Sequence, residues 1–227
     1  MIISHKYKFI FFAVPKTATH AIRMALRKHL DDKDWEQVNL FYPRHLPFRE
    51  LARKRHGHIK AAEIQPVLDK KMWQSYFKFA LVRNPWDRYI SLVAFYFRNN
   101  LRFRENPVYF YQKGIRLPWI KKNLLCQPQY TFITDSKGRV VVDYLGRYEK
   151  LQESYEFFCK QVGIPQEKLA RLNASWHGPF EGYLDESLIK EIGHIYQKDI
   201  QLFGYQRPDA TGNSPEGIQK VKDFIYS

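Results

Sequence analysis

Two apolar runs, each leading directly into a helical pattern, most constrain how this chain can fold. The first, FIFFAV at 9–14, stops at a proline and is soon followed by HAIRMALRKHL, in which apolar residues recur at helical spacing. The second, YFKFALV at 76–82, leads into PWDRYISLVAFYF, for which Asn84 is the expected N-cap and Pro85 the first helical residue. Strands that alternate with helices predict an α/β fold with parallel strands.

The remaining segments predict two further helices, one hairpin and a loop-rich stretch. YEKLQESYEFFCKQVG and DESLIKEIGHIYQKDIQLFG carry apolar residues on one face, and each ends at a glycine. TFITDSKGRVVVDYL predicts a hairpin with its turn at DSKGR, whereas residues 32–48 predict loops or short elements. We therefore predict a single α/β domain whose central, mostly parallel sheet is flanked by helices. It would occupy residues 1–206, with residues 207–227 as a peripheral C-terminal tail.

The charge balance and the cysteine content indicate the kind of partner and the compartment. With 37 Lys and Arg against 23 Asp and Glu, the formal net charge is +14, which attracts phosphorylated cofactors, acidic glycans, nucleic acid or membrane surfaces. No apolar run approaches the roughly 18 residues that a membrane helix needs, and FIFFAV is too short for a signal peptide. Because the 2 cysteines fit a reducing compartment better than a disulfide framework, we expect a cytoplasmic protein without a membrane span.

Each strand-to-helix junction carries side chains suited to an anion. In open parallel sheets, ligands bind beyond the carboxyl ends of the strands, and backbone N–H groups at a helix N-terminus bind phosphate-like anions. At the first junction, PKTATH, Lys16 adds a positive charge, and Thr17 and Thr19 add hydroxyl donors. At the second, LVRNPWDRYIS, Arg83 leaves the strand and Ser91 lies on the second turn of the helix, which predicts a second anion site. These residues alone leave two other interpretations open: a solvated helix start, and an Arg83 that simply pairs with Asp87 or with a C-terminal carbonyl.

The first junction does not have the sequence of a nucleoside-triphosphatase loop. The pattern G-x-x-x-x-G-K-[ST] is absent, because no glycine lies between Phe9 and Leu26. No carboxylate ends the second strand to hold magnesium, and the histidines do not pair with Cys or Asp at a metal-ligand spacing. We therefore expect a phosphorylated cofactor that reacts without a required metal.

The two junctions together resemble a known family. VPKTATH and FALVRNPWDRYISLVAFY closely resemble the two cofactor loops of sulfotransferases that use 3'-phosphoadenosine-5'-phosphosulfate (PAPS), in particular the carbohydrate sulfotransferases and their bacterial relatives. QPQYTFITDSKGRVVVDYLGRYEKL and YLDESLIKEIGHIYQKDIQLFGY also resemble that branch, so the resemblance extends to Tyr205. It implies in-line transfer of a sulfuryl group from PAPS to an acceptor hydroxyl, on a saccharide, with no nucleic-acid partner.

The resemblance also implies a P-loop-like nucleotide-binding topology for the α/β domain, and roles for individual residues. Lys16, Thr17, Ala18, Thr19 and His20 would form the 5'-phosphosulfate loop, with Lys16 stabilising the leaving group. His20 departs from the small or hydroxyl residue frequent at that loop position. Arg83 and Ser91 would bind the 3'-phosphate, and Arg147 and Tyr148, in GRYE, would approach the cofactor.

The acceptor hydroxyl must lose a proton, and RHGHIKAAEI offers candidate bases. The spacing of His56 and His58 resembles the histidine pair of uronyl 2-O-sulfotransferases, and other relatives have only the second histidine, which favours His58. Glu63 and His177 remain alternatives. The other histidines, His5, His29, His45 and His194, are interpreted as non-catalytic.

Two other functions remain as competing hypotheses. A small-molecule kinase that uses ATP would require magnesium and would be indifferent to a 3'-phosphate. A non-catalytic binder of anionic glycan or nucleic acid would bind polyanions in a salt-dependent manner, without transfer. A sulfotransferase explains the pair of loops better than either.

Overall fold

The computed structural model describes residues 1–38, 45–118, 122–170 and 179–210. They divide into two compact units along the chain. The first unit contains the described residues of 1–82 and 129–170, and the second those of 83–128 and 179–210. Whether residues 1–206 act as one domain with a peripheral tail stays a prediction.

The first unit is built on a mixed five-stranded sheet. Its strands are β1 (Ile2–Ser4), β2 (Phe9–Phe12), β3 (Trp35–Glu36), β4 (Phe77–Val82) and β5 (Tyr144–Arg147), in the order β3-β1-β2-β4-β5. β2, β4 and β5 are parallel, whereas β1 is antiparallel to both β2 and β3. The predicted α/β fold is confirmed, and a P-loop-like topology stays a prediction.

The sheet is mixed, and the prediction of a mostly parallel sheet was wrong for β1. The connection from β1 to β2 spans only residues 5–8, and a connection this short joins antiparallel strands. Asp34 stabilises the turn, because its buried carboxylate accepts from the Ser4 hydroxyl at 3.1 Å and from the His5 N–H at 2.6 Å.

The helices vary from single turns to more than three turns. They are α1 (Thr19–Arg27), α2 (Arg49–Ala52), α3 (Ala61–Ile64), α4 (Lys70–Ser75), α5 (Pro85–Phe97), α6 (Leu101–Glu105), α7 (Pro107–Gly114), α8 (Tyr130–Ile133), α9 (Leu151–Val162), α10 (Glu186–Ile195) and α11 (Gln197–Phe203). Short 3-10 turns occupy Leu124–Cys126, Tyr148–Lys150 and Phe180–Tyr183.

The core of the first unit positions α1 and α9 against the sheet. Ile22 and Leu26 of α1 and Phe158 of α9 are buried in one cluster with the strand residues Phe9 and Phe79. The rings of Phe79 and Phe158 stack with centroids 4.5 Å apart. This packing fixes α1 relative to β2, so the loop between them connects two anchored elements.

The second unit is organised around α5. Asn84 is its N-cap, as predicted, since the side-chain oxygen accepts from the Trp86 N–H at 3.0 Å. The buried Trp86 indole donates to the Ile189 carbonyl of α10 at 3.1 Å. The buried Arg88 guanidinium donates to the Gln127 carbonyl at 2.8 Å and lies over the Tyr196 ring. These contacts fix the first turns of α5.

Two predicted elements differ from the structure. The turn within 131–145 forms, with an isolated antiparallel bridge between Thr134 and Val140, but the expected hairpin strands do not. Residues 130–133 are helical, and Tyr144–Arg147 pairs in parallel with β4 instead. The helix predicted over 185–204 is two helices, α10 and α11, separated at Tyr196. The strands β1 and β3 were not predicted at all.

Candidate active site

The loop between β2 and α1 has an unusual backbone. Lys16 has a φ of 66° and Ala18 a φ of 58°, so two non-glycine residues are left-handed on either side of Thr17. This conformation costs free energy for residues with a Cβ and is concentrated at functional sites. Alternating signs of φ turn successive N–H groups toward one side of the chain, which is the geometry of anion-binding nests.

Thr17 closes this loop from within. Its buried hydroxyl donates to the Val14 carbonyl oxygen at 3.0 Å. The hydroxyl proton is therefore used inside the loop, and the group that Thr17 can offer to an anion in this arrangement is its backbone N–H. Lys16 and Thr19 are half-buried and His20 is exposed.

The N-terminus of α1 follows directly and favours a negative charge. Ala18 is the N-cap and supplies no side-chain hydrogen bond, and the first turn contains no acidic residue. The first helical bond joins the Ile22 N–H to the Ala18 carbonyl at 3.2 Å. The N–H groups before Ile22 have no acceptor inside the helix, and the helix dipole makes this end an anion site.

His58 is hydrogen-bonded to the strand end that begins the loop. Its Nδ1 atom lies 2.7 Å from the Ala13 carbonyl oxygen. A carbonyl only accepts, so Nδ1 carries the hydrogen and Nε2 keeps its lone pair. Burial lowers the pKa of His58 to about 4, against the opposing effect of the Ala13 hydrogen bond. The ring is therefore neutral at pH 7, with Nε2 able to accept a proton.

His56 lies beside His58 without a comparable anchor. The two rings are 6.4 Å apart between centroids. Within the described residues, the buried Nδ1 atom of His56 has no hydrogen-bond partner, and burial followed by the charge of Lys54 lowers the pKa of this histidine. The residue between the two histidines, Gly57, packs closely against the Gln37 carbonyl. A Cβ at this position would lie 2.2 Å from the carbonyl oxygen, so glycine fits here and larger residues do not.

Glu63, the acidic alternative, is engaged in the local structure. One carboxylate oxygen accepts from the Lys60 N–H at 3.0 Å and caps α3, and the other pairs with the Lys54 ammonium at 2.8 Å. These donors outweigh burial and lower the pKa of Glu63, which makes it a weak base. His177 lies outside the described residues, whereas His5 bonds to the Tyr76 hydroxyl at 2.9 Å.

In the second unit, Arg83, Asp87 and Ser91 follow one another at intervals of four residues. Arg83 Nε lies 2.6 Å from Asp87 Oδ2, and Nη2 lies 2.8 Å from Oδ1. Arg83 and Ser91 are almost fully buried, with 3% and 1% exposed. The pairing that the sequence left open is thus present, and it takes two of the five guanidinium N–H donors.

Arg147 is the last residue of β5 and lies opposite Val82, the last residue of β4. Its backbone N–H donates to the Ser154 hydroxyl of α9 at 2.9 Å. Gly146 allows this approach, because a Cβ there would lie 2.7 Å from the Ser154 Cβ. Arg147 therefore lies at the carboxyl edge of the parallel strands, where the loop after β2 also begins, and Tyr148 follows it.

Sequence reasoning missed several residues that support these groups. The buried Glu36 carboxylate accepts from Arg23 at 2.9 Å and from Arg27 at 2.7 Å, which attaches α1 to β3. The Ala13 carbonyl and the tight approach at Gly57 gave no sequence signal beyond a glycine between two histidines. Asp87, in contrast, was one of the two partners that the sequence left open for Arg83.

The comparison with known families decides the assignment. The model of the sulfotransferase family matches residues 1–206. The chain belongs to the sulfotransferase family. The family recognised in the paired loops is thereby confirmed.

Two relatives extend the comparison of this sulfotransferase. A protein described as uncharacterized, from Archaeoglobus fulgidus, is 32% identical over 112 residues, which cover 49% of this chain and 88% of that protein. Carbohydrate sulfotransferase 14 of Danio rerio is 21% identical over an alignment that is 254 residues long and covers 93% of this chain and 63% of the relative. The chain thus spans less than two thirds of the length of that relative. No solved structure matches this chain.

Two features are absent from the described residues: a metal-binding cluster and a membrane-spanning helix. There, no group of three or more His, Cys, Asp or Glu side chains is arranged to hold a metal ion. In the same ranges, no helix is long and apolar enough to cross a membrane.

Proposed function

We propose that this sulfotransferase transfers the sulfuryl group of PAPS to a hydroxyl of a carbohydrate. The observation that carries the proposal is the 2.7 Å hydrogen bond between His58 and Ala13. It links a neutral imidazole to the end of the strand from which the loop with Lys16 departs. A cation and a proton acceptor attached to one strand end are what transfer to a hydroxyl requires.

The residues of the loop fit the 5'-phosphosulfate end of the donor. Backbone N–H groups of the left-handed loop and of the first turn of α1 would bind the anionic oxygens, and the first turn has no acidic residue to oppose them. We assign this binding to Lys16, Thr17, Ala18, Thr19 and His20, with His20 contributing its backbone.

The 3'-phosphate is assigned to the second unit. Arg83, which lies just before the N-cap of α5, offers a forked donor, and Ser91, within α5, offers a hydroxyl. Recognition of this phosphate would distinguish PAPS from ATP, which lacks it. Arg147, at the end of β5, is proposed as a further contact to the nucleotide.

PAPS supplies a sulfuryl group activated by its bond to phosphate. The acceptor oxygen forms a bond to sulfur while the bond from sulfur to the phosphate oxygen breaks. His58 Nε2 takes the hydroxyl proton, and the Lys16 ammonium stabilises the negative charge that builds on the departing oxygen. The Ala13 carbonyl keeps the required tautomer of His58.

The carbohydrate acceptor is supported by the relative, by name a carbohydrate sulfotransferase, and by the net charge of +14. A surface with this excess of positive charge favours acceptors that carry carboxylate or sulfate groups.

The test has two stages, binding and transfer. Melting temperatures are measured with adenosine 3',5'-bisphosphate, AMP, ATP, and ATP with magnesium at equal concentrations. We expect stabilisation by the 3'-phosphorylated nucleotide without magnesium, about 2.7 kcal/mol at a hundredfold excess over Kd. Transfer from radiolabelled PAPS is then measured with neutral and acidic oligosaccharides.

Each competing hypothesis has its own outcome in this test. Stabilisation by ATP only in the presence of magnesium would favour a small-molecule kinase. Salt-dependent binding of polyanions without a shift from any nucleotide would favour a non-catalytic binder.

A further inference from the structure

We infer that Asp87 is a positioning residue that orients the Arg83 guanidinium and thereby sets the selectivity for a nucleotide with a 3'-phosphate. The inference rests on the proposed function, in which Arg83 binds that phosphate. It adds a residue that does not touch the nucleotide in the proposed function but determines how Arg83 meets it.

The carboxylate of Asp87 holds the guanidinium at two points. The bonds from Nε, at 2.6 Å, and from Nη2, at 2.8 Å, go to different carboxylate oxygens. A forked pair fixes the plane of both groups, whereas one bond would allow rotation about its axis. Both side chains are almost buried, with 4% of Arg83 and 12% of Asp87 exposed, so solvent does not loosen the pair.

Asp87 itself belongs to a rigid part of the second unit. Asn84 caps the helical turn that carries Asp87, because its side-chain oxygen accepts from the backbone N–H of Trp86 at 3.0 Å. The Trp86 indole is in turn bonded to Ile189 of α10. Because the Asp87 carboxylate is held in this way, it can fix the orientation of the Arg83 guanidinium that would bind the ligand.

The sign of the effect distinguishes positioning from simple electrostatics. Asp87 places a negative charge next to the group proposed to bind an anion. If charge alone mattered, neutralising Asp87 would strengthen binding of a 3'-phosphate, since a repulsion would be removed. If orientation matters, the same change weakens that binding, because an amide has only one acceptor oxygen and cannot form the forked pair with both N–H donors of Arg83.

The experiment compares the full chain with Asp87→Asn and Asp87→Glu. Calorimetry gives Kd for adenosine 3',5'-bisphosphate and for AMP, and their ratio measures selectivity for the 3'-phosphate. We expect the ratio to fall about tenfold or more in Asp87→Asn, with Kd for AMP within about twofold of the wild type. Asp87→Glu restores the charge and should recover part of the selectivity.

The control is Glu153→Gln, which neutralises an acidic side chain of α9 that pairs with Lys150, just before the helix, at the exposed surface. It changes the net charge by the same amount without touching α5, so its selectivity should equal that of the wild type. A similar loss in this variant would show a general charge effect and overturn the inference.

The remaining outcomes separate the inference from the proposed function. A wild type that binds both nucleotides equally would contradict the proposed function itself. A selective wild type with an unchanged or higher ratio in Asp87→Asn would overturn positioning and leave the function intact. If Asp87→Asn does not fold, Asp87→Glu decides: a ratio several-fold below the wild type supports positioning, and an unchanged ratio overturns it.

Discussion

The Nδ1 atom of His58 lies 2.7 Å from the carbonyl oxygen of Ala13, so the imidazole is fixed to the carboxyl end of β2. Lys16 follows Ala13 by three residues on the same loop. The proposed base and the proposed charge-stabilising cation are therefore both attached to one strand end. Small movements of that strand end would shift the two groups together.

His58→Ala should lower kcat by about 10²- to 10⁴-fold, the usual contribution of a general base. The loss follows because the proton acceptor held by Ala13 is gone. Kd for adenosine 3',5'-bisphosphate should stay within about twofold, since the loop backbone is unchanged. Steady-state kinetics and calorimetry measure the two effects, with His56→Ala as the matched variant. An inactive His56→Ala beside a normal His58→Ala would reverse the assignment.

The lowered pKa of His58 predicts that activity is retained at a lower pH than is usual for an enzyme with a histidine base. Because its pKa is about 4, against ~6.5 for an ordinary histidine, the ring stays neutral and kcat/KM should persist down to about pH 5. The unfolded chain binds the proton more readily, so the stability contribution of the neutral ring is present above pH ~6.5 and lost as pH falls toward 4. Urea midpoints between pH 4 and 7 should therefore fall more steeply for the wild type than for His58→Asn. Equal slopes would contradict the assignment.

Elements set by local chemistry could be predicted from the sequence. The start of α5 depends on the Asn84 cap and the proline after it, and both signals lie within a few residues. β5 could not be predicted as a parallel strand, because Tyr144–Arg147 becomes a strand only by pairing with β4, some 65 residues earlier. Short strands such as β3, of two residues, have no periodicity to detect.

In the candidate site, too, features that depend on local sequence could be predicted, and features that depend on distant contacts could not. Lys16 and Arg83 could be predicted because ligand-binding groups follow parallel strands, and this depends only on order along the chain. The partner of His58 could not, because Ala13 is 45 residues away and contributes a backbone carbonyl. The left-handed backbone at Lys16 was also unpredictable, since lysine rarely adopts it.

The left-handed backbone at Lys16 predicts different stabilities for two substitutions that both remove the ammonium group. Both Lys16→Ala and Lys16→Gly should lower turnover by at least about 10²-fold, because the charge at the departing oxygen loses its partner. With φ at 66°, glycine adopts this backbone freely and alanine does not, so Lys16→Gly should be about 1 kcal/mol more stable. Kinetics and urea unfolding test both expectations.

The exposed Lys33 provides the charge control for that pair. Lys33→Ala removes one positive charge away from the loop and should retain near-normal turnover. Substantial turnover by a folded Lys16→Ala would remove this lysine from the mechanism. Equal stability of the alanine and glycine variants would argue against a left-handed Lys16.

Gly57→Ala should destabilise the fold by several kcal/mol, because the new Cβ would lie 2.2 Å from the Gln37 carbonyl oxygen, a backbone atom that cannot move alone. The matched change is Gly193→Ala in α10, where the nearest atom, of Trp86, is 3.7 Å away. There alanine should be neutral or stabilising, by up to about 1 kcal/mol, since it favours the helix. Urea unfolding of both variants measures the difference, and a Gly57→Ala as stable as Gly193→Ala would contradict the close approach that holds His56 and His58 in place.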